Sequence, residues 1–389
     1  MKNKKLIKVI TTALIIAMLT APVGYAENEK TIDDSVLVTK ETITKISLDN
    51  KEKDALYTID GYRLSSVESL TEDIEEIKAH LYQPSADING TSSLPVSRDN
   101  TNDFPPPEQN GQGGQNSCVA WAVAYAAVSR EERHKWEWGS YSKNHCFSPA
   151  FVFNSLTKGG KPIHISAAMK FVVNKGVCSM QIMDYAENSL VAPDSRQKKV
   201  ASYFKAASWR TVNGIDAVKD AIVKDYGVVF AFRVPVNYSS ANNVIYGSET
   251  IGEGAHAVCI VGYDNNRYGG AFKYLNSYGS NWGQSGYGWI TYNAFNSNSI
   301  NNYGGGVGYV INRSANRSLK INMGDVDFSG SVTAADSRLI LRYCSRLETY
   351  TDEQFVRSDI DGSGSLTSSD AQFVLRYASN LETVFPYFR

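Results

Sequence analysis

The sequence predicts an α+β domain followed by a small all-α, metal-binding unit. Three observations carry that reading. Apolar helical segments cluster between about residues 118 and 174, and apolar runs bounded by Gly and Asn follow from about residue 227. Helices first and strands later favour an α+β layout with a cleft between the two halves. Beyond them a loop-plus-helix unit occurs twice, 325–336 recurring as 359–370.

The chain has 389 residues, of which 42% are hydrophobic and 20% charged, enough for two or three domains with buried cores. Its formal charge is −1, with no long basic or acidic tail, so nothing points to nucleic acid. Lys2, Lys4, Lys5 and Lys8 form a basic start, a mainly apolar stretch runs from about Leu6 to Leu19, and Gly24-Tyr25-Ala26 follows. Residues 1–26 therefore read as a secretory signal peptide, too short in its apolar part for an anchor, and no later segment could span a bilayer. The expected location is extracellular.

Residues 27–93 read as an N-terminal extension or propeptide. Ser69-Leu-Thr-Glu72 is a capping box, and Leu70, Ile74, Ile77 and Leu81 share one face of the helix it opens. Residues 85–115 are rich in Pro, Asn, Gly and Ser and read as irregular chain. At Cys118 a helix begins whose Ala120, Ala122, Val123, Ala124, Ala126, Ala127 and Val128 are apolar on nearly all sides, ahead of the charged Arg130-Glu-Glu-Arg133. Ser148-Pro149 starts a second helix, with Pro in its first turn. A third runs over about 166–174 and stops at Lys175-Gly176. Runs 228–232, 257–261, 271–275 and 287–292 read as strands.

Five cysteines are an odd number, so at least one thiol is free or paired with another molecule. Cys146, Cys178 and Cys259 read as small buried hydrophobes and Cys344 as a packing residue; a Cys146–Cys178 bridge stays open. Cys118 is different. It ends the run Gln112-Gly-Gly-Gln115-Asn-Ser-Cys118, and downstream stand Gly254-Ala-His256 and Leu275-Asn276-Ser-Tyr278. A thiol at a helix N-terminus beside an imidazole is stabilised as the thiolate. In that arrangement His256 is acid and base, and Asn276 holds it by accepting from its second nitrogen. The Gln112 amide and the Cys118 backbone N–H are the oxyanion donors. His80, His134, His145 and His164 lack such company and read as surface or structural residues.

These patches resemble the papain family of cysteine peptidases. That family has a Gln, five residues, and then the nucleophile at the head of a long helix, with His and Asn far downstream; here they lie 138 and 158 residues past Cys118. The stretch from Asn276-Ser-Tyr278 through Trp282 to Gly286-Tyr is similar to the family's Asn-Ser-Trp-Gly signature. Gly159-Gly160 resembles the paired glycines that let a substrate backbone pair with the cleft wall, and Trp282 is a further substrate-site candidate. The resemblance implies a domain at 94–315 with a helical lobe and a β-barrel-like lobe. It also implies hydrolysis of protein or peptide substrates through a thioester, without a catalytic cofactor. Gln115-Asn-Ser-Cys118-Val119 departs from the family's Cys-Gly-Ser-Cys-Trp, and Tyr278 replaces the Trp that shields the His–Asn bond. A silent peptidase-like binder and an acyl transferase are the alternative readings.

Each repeated loop presents oxygens at positions 1, 3, 5 and 12 with Gly at 6, the logic of a calcium loop. The first set is Asp325, Asp327, Ser329 and Asp336 with Gly330; the second is Asp359, Asp361, Ser363 and Asp370 with Gly364. Ser331 and Ser365 add backbone carbonyls. Ser at position 5, Asp at 12, the duplication and the following Leu-Arg-Tyr helices resemble the dockerin module of cellulosomes. The resemblance implies a domain at 322–385 that binds two calcium ions and docks on a cohesin module of a scaffoldin. Partner contact would fall on Ala334-Ala335, Ser368-Ser369 and the helices.

Overall fold

In the computed structural model, residues 94–136, 138–300, 306–312, 323–383 and 385 are described, together with three two-residue strands ahead of them. The signal segment and the capped helix expected over about 70–82 lie outside the described residues. The early strands are β1 (Thr58–Ile59), paired with β2 (Tyr62–Arg63), and β3 (Ser65–Ser66).

The helix expected at Cys118 is a rod of three consecutive stretches. They are α1 (Cys118–Ala120), a π-helical stretch (Trp121–Val128) and α2 (Ser129–Trp136). Every residue of the π stretch is buried, so packing on all sides sets its winding rather than intrinsic preference. The charged turn after it is buried too. Arg130 has no exposed surface, and its guanidinium lies 3.1 Å from Glu131 Oε1 and 2.6 Å from His134 Nε2, as a buried charge requires.

α3 (Pro149–Leu156) starts where the sequence predicts: Ser148 Oγ accepts from Phe151 N at 3.1 Å, and Pro149 fills the first turn. α4 (Ile165–Asn174) stops before Gly176, whose φ of +78° and whose contact with Ala201 O leave no room for a side chain. α5 (Ser195–Ala201) follows a capping box between Asp194 and Gln197.

The remaining strands are β4 (Ser97–Asp99), β5 (Ser208–Asn213), β6 (Val228–Pro235), β7 (Val244–Ile245), β8 (Ile251–Asp264), β9 (Ala271–Leu275), β10 (Tyr287–Thr291) and β11 (Val307–Asn312). They form one sheet in the order β5-β11-β6-β8-β9-β10-β7, with β3 and β4 paired to β8. Helices α6 (Ile215–Val223) and α7 (Tyr292–Asn296) complete the domain. The two-residue period divides β6 and β8 between two cores. Val229, Ala231, Ala257 and Cys259 pack with the central helix, while Val228, Phe230, Phe232, Val258 and Ile260 join α6 and α7. Burial on both faces is why these strands read as continuous apolar runs.

The repeat domain comprises α8 (Ala334–Cys344), α9 (Asp352–Ser358) and α10 (Ser368–Ala378) around Val326, Ile340, Ile360 and Val374. Helix α9 packs on α5, and Val356 enters the core of the α+β domain.

None of the five cysteines forms a disulfide, so the open Cys146–Cys178 bridge is not made. Cys146, Cys178 and Cys259 are buried as expected, and burial pushes the Cys146 thiol up to about 12 and the other two further. Cys344 corrects its reading as a packing residue: it closes α8 on the exposed side.

Candidate active site

The first turn of the central helix packs on β8, the strand that carries His256, and Asn276 follows directly on the adjacent β9. His256 Nε2 lies 2.7 Å from Asn276 Oδ1. The same oxygen accepts from the Ser277 backbone N–H at 2.8 Å, which fixes it as the acceptor. His256 Nε2 must therefore carry the proton, and Nδ1 is the ring's basic nitrogen. That nitrogen is buried without a hydrogen-bond partner. Asn276 Nδ2 in turn donates to Tyr238 Oη at 3.3 Å, and Tyr238 Oη is 2.9 Å from Tyr274 Oη.

Burial pulls His256 from its ordinary 6.5 down to about 4, while the bond to Asn276 works in the opposite direction. Tyr278 lies against the imidazole, tilted by 31° with centroids 4.4 Å apart, and Trp282 meets Tyr278 edge-on at 5.7 Å. The ring at 278 thus covers the His–Asn pair. Trp282 stands behind it, 3% exposed, within the second core.

Gln112 is fully buried and held from several sides. Its Oε1 accepts from Ser277 Oγ at 2.7 Å, its backbone N–H donates to Ser277 O at 2.7 Å, and one of its amide hydrogens goes to Gln115 O at 3.0 Å. Tyr185 Oη donates to Gln112 O at 2.8 Å, so the 2.7 Å contact between Ser117 Oγ and Tyr185 Oη has the serine as donor. Burial raises the Tyr185 phenol to about 12, so it stays a donor across the physiological range. Gly114 N donates to Glu187 Oε1 at 2.7 Å. Gly111 has φ +59° and lies against Ser277 O and Gly279 N, an approach open only to glycine. Gly159 and Gly160 form a left-handed turn at φ +65° and +78°, and Gly160 O accepts from Asn116 Nδ2 at 3.1 Å, two residues before Cys118.

Cys118 and His256 both have no exposed surface. Strand β3 pairs antiparallel with β8 through Ser65↔Ala255 and Ser66↔Gly254, the two residues ahead of the imidazole. Of the other histidines, His134 pairs with Arg130, His145 stacks on Trp138 at 4.4 Å, His164 is exposed, and His80 lies outside the described residues.

Sequence reasoning missed Ser277, Tyr238 and Tyr185 as positioning residues. Ser277 lies inside the Asn276-Ser-Tyr278 motif itself, beside a residue that the motif does single out. Tyr238 and Tyr185 meet the site only through the fold, 38 and 73 residues along the chain from their partners.

In the repeat domain the carboxylates converge in two groups, Asp325 with Asp327 and Asp336, and Asp359 with Asp361 and Asp370; in each group the oxygens lie within 4.8 Å of one another. Gly330 and Gly364 take φ +88° and +78°. Ser329 Oγ lies 3.1 Å from Ser331 O, and Ser363 Oγ 3.0 Å from Ser365 O, so hydroxyl and carbonyl oxygens sit side by side. Asp359 Oδ1 is buried without a hydrogen-bond partner, and burial with Asp370 and Asp361 nearby pushes Asp359 up to about 8. Hard oxygens gathered against their own repulsion fit a calcium ion. Asp336 and Asp370 serve their helices as well, each closing a capping box with Thr333 or Thr367.

A model of the papain family cysteine proteases matches residues 98–305, and a model of the dockerin type I domain matches 323–378. Pro-cathepsin H of Mus musculus is 28% identical over 210 residues, 51% of this chain and 61% of that protein. The chain thus spans 61% of the length of this curated relative. Xylellain, a cysteine protease from Xylella fastidiosa, superposes with a TM-score of 0.54 at 23% identity, covering 65% of this chain and 98% of that one. A procathepsin B from Trypanosoma congolense gives 0.50 at 16%, with 71% and 99% covered. At such identities the likeness speaks for the fold alone. The family match extends over more than half of the chain, and the fold agrees with it: the chain belongs to the papain family of cysteine proteases and carries a dockerin type I domain at its C-terminal end.

Proposed function

We propose that this chain is a secreted cysteine endopeptidase, made latent and tethered to a cellulosome scaffold through its dockerin. The observation that carries the catalytic reading is the fixed tautomer of His256: Nε2–H on Asn276 and a buried, unpartnered Nδ1. Nδ1 takes the Cys118 proton. The thiolate sulfur bonds to the scissile carbonyl carbon, and the oxygen gains the electron pair of the C=O π bond. The Cys118 backbone N–H and the Gln112 amide stabilise that oxyanion. Collapse expels the amine, which leaves with the proton from His256, and a thioester remains. Water, deprotonated by His256, then cleaves the thioester and restores the thiol. Gly159 and Gly160 are assigned to the substrate cleft, whereas Trp282, buried behind Tyr278, backs the ring over the His–Asn pair rather than meeting substrate.

Latency is supported by the zero exposure of Cys118 and His256 and by the β3 pairing beside the imidazole. In this reading 27–93 is a propeptide, and cleavage near residues 92–94 activates the enzyme. Calcium, held by the two aspartate groups, would cross-link each loop. Ala334, Ala335, Ser368 and Ser369, all exposed at the starts of α8 and α10, would meet the cohesin.

The test is cleavage of heat-denatured casein by the processed chain and by Cys118→Ala. Cleavage by the first and not by the second is expected. Equal inertness of both after removal of 27–93 would overturn the peptidase reading.

A further inference from the structure

The dockerin domain does not hang free of the peptidase domain, and the two halves of its repeat are treated differently. Helix α9, between the repeats, lies on α5: Lys199 Nζ is 2.5 Å from Glu353 Oε2, Arg196 is 3.8 Å from Asp352 and 4.1 Å above the Phe355 ring, and Tyr203 Oη donates to Glu353 at 3.4 Å. Val356 is buried in the peptidase core behind this polar rim. The second calcium loop is then gripped from the peptidase side. Asn144 Nδ2 donates to Asp361 O at 3.0 Å and Gln181 Nε2 to Ser363 O at 3.4 Å. Asp361 and Ser363 are positions 3 and 5 of that loop, two of its candidate calcium ligands. The first loop is held otherwise: Arg357 Nη1 sits 3.1 Å from Asp325 Oδ2, a cation beside its first ligand.

We propose that the second calcium loop is a clasp on the peptidase domain, so that calcium in this loop and docking of α9 on α5 favour each other. The hydrogen bonds from the Asn144 and Gln181 side chains to the loop backbone hold it in the curvature that its ligands need, and they lower the ordering cost of binding. Arg357 opposes a cation at the first loop by like charge. The two sites are therefore unequal, the second being the tighter in the intact chain. Linkage is reciprocal: whatever factor docking adds to calcium affinity, calcium adds to docking. This inference rests on the calcium reading of the loops given above.

Calorimetric titration of calcium into the metal-depleted full chain, carrying Cys118→Ala against self-cleavage, tests it. Two steps are expected, assigned by Asp327→Ala and Asp361→Ala. Asn144→Ala with Gln181→Ala should weaken the tighter step about tenfold, for two lost hydrogen bonds, and leave the weaker one in place. Lys199→Glu, which repels Glu353, should act in the same direction, and calcium should slow amide exchange in α5. An unchanged tighter step in both variants overturns the clasp, whereas absence of either step in the parent chain overturns the calcium reading instead.

Discussion

Ser277 Oγ donates to Gln112 Oε1 across 2.7 Å, and this bond joins the loop after β9 to the loop that leads into Cys118. Ser277 also gives its backbone N–H to Asn276 Oδ1. One residue therefore orients both the Asn276 amide that holds His256 and the Gln112 side chain. Ser277→Ala keeps the backbone bond and removes the side-chain one. A net hydrogen bond of about 1 kcal/mol corresponds to about a fivefold fall in kcat. Steady-state kinetics on a fluorogenic peptide should show that fall with KM nearly unchanged, and Ser277→Thr should recover part of it.

Gly111 and Gly113 both have positive φ, but their surroundings differ. A side chain at Gly111 meets the backbone at Ser277 and Gly279, whereas one at Gly113 meets the flexible end of Glu187. Backbone cannot yield without moving Gln112. Gly111→Ala should lower kcat more than tenfold and also lower the melting temperature, with Gly113→Ala the milder of the two on both measures, by roughly the difference between backbone displacement and a rotamer change.

The depressed His256 gives the closed chain a pH dependence of definite sign. Its value of about 4 lies below the ordinary 6.5, so the closed state binds the proton more weakly than an opened one. The stability this group contributes is complete above about 6.5 and is lost as the pH falls towards 4. Melting curves of the Cys118→Ala chain between pH 7 and 4 should therefore drop more steeply than those of the same chain with His256→Gln. Equal slopes would place the pH response elsewhere.

In the metal-free dockerin the carboxylates of the second loop oppose one another with Asp359 buried among them. With its carboxyl raised to about 8, Asp359 must take up a proton on folding at neutral pH, and an amide at this position avoids that cost. With chelator present, Asp359→Asn should raise the melting temperature of the dockerin unit. With calcium present the order should reverse, because the variant loses a first ligand. Scanning calorimetry in the two buffers reads both signs.

The candidate site residues were legible because each sits in a short pattern with its own physical meaning. Cys118 heads an apolar helix, Ser148-Pro149 caps one, and each calcium loop repeats Asp, Gly and Ser at fixed positions. What supports them was not legible. Tyr238 reaches Asn276 from a separate loop, and Tyr185 reaches Gln112 from a segment with no periodicity of its own. The π winding of 121–128 arises from packing on every side, which no local preference encodes. Asp194 and Gln197 do carry a capping signature, yet the short helix they open has too few apolar residues to stand out. The seat of α9 on α5 depends on scattered charges, Arg196 and Lys199 facing Asp352 and Glu353, which read in sequence as ordinary solvated surface.

The five unbridged thiols have a consequence for handling. A cysteine nucleophile works only while reduced, and in many proteins the reductant that protects it also cuts the cross-links holding the molecule together. Here no such conflict exists. Conditions that keep the Cys118 thiol reduced break no disulfide here, so a reductant can stay present throughout without cost to the fold.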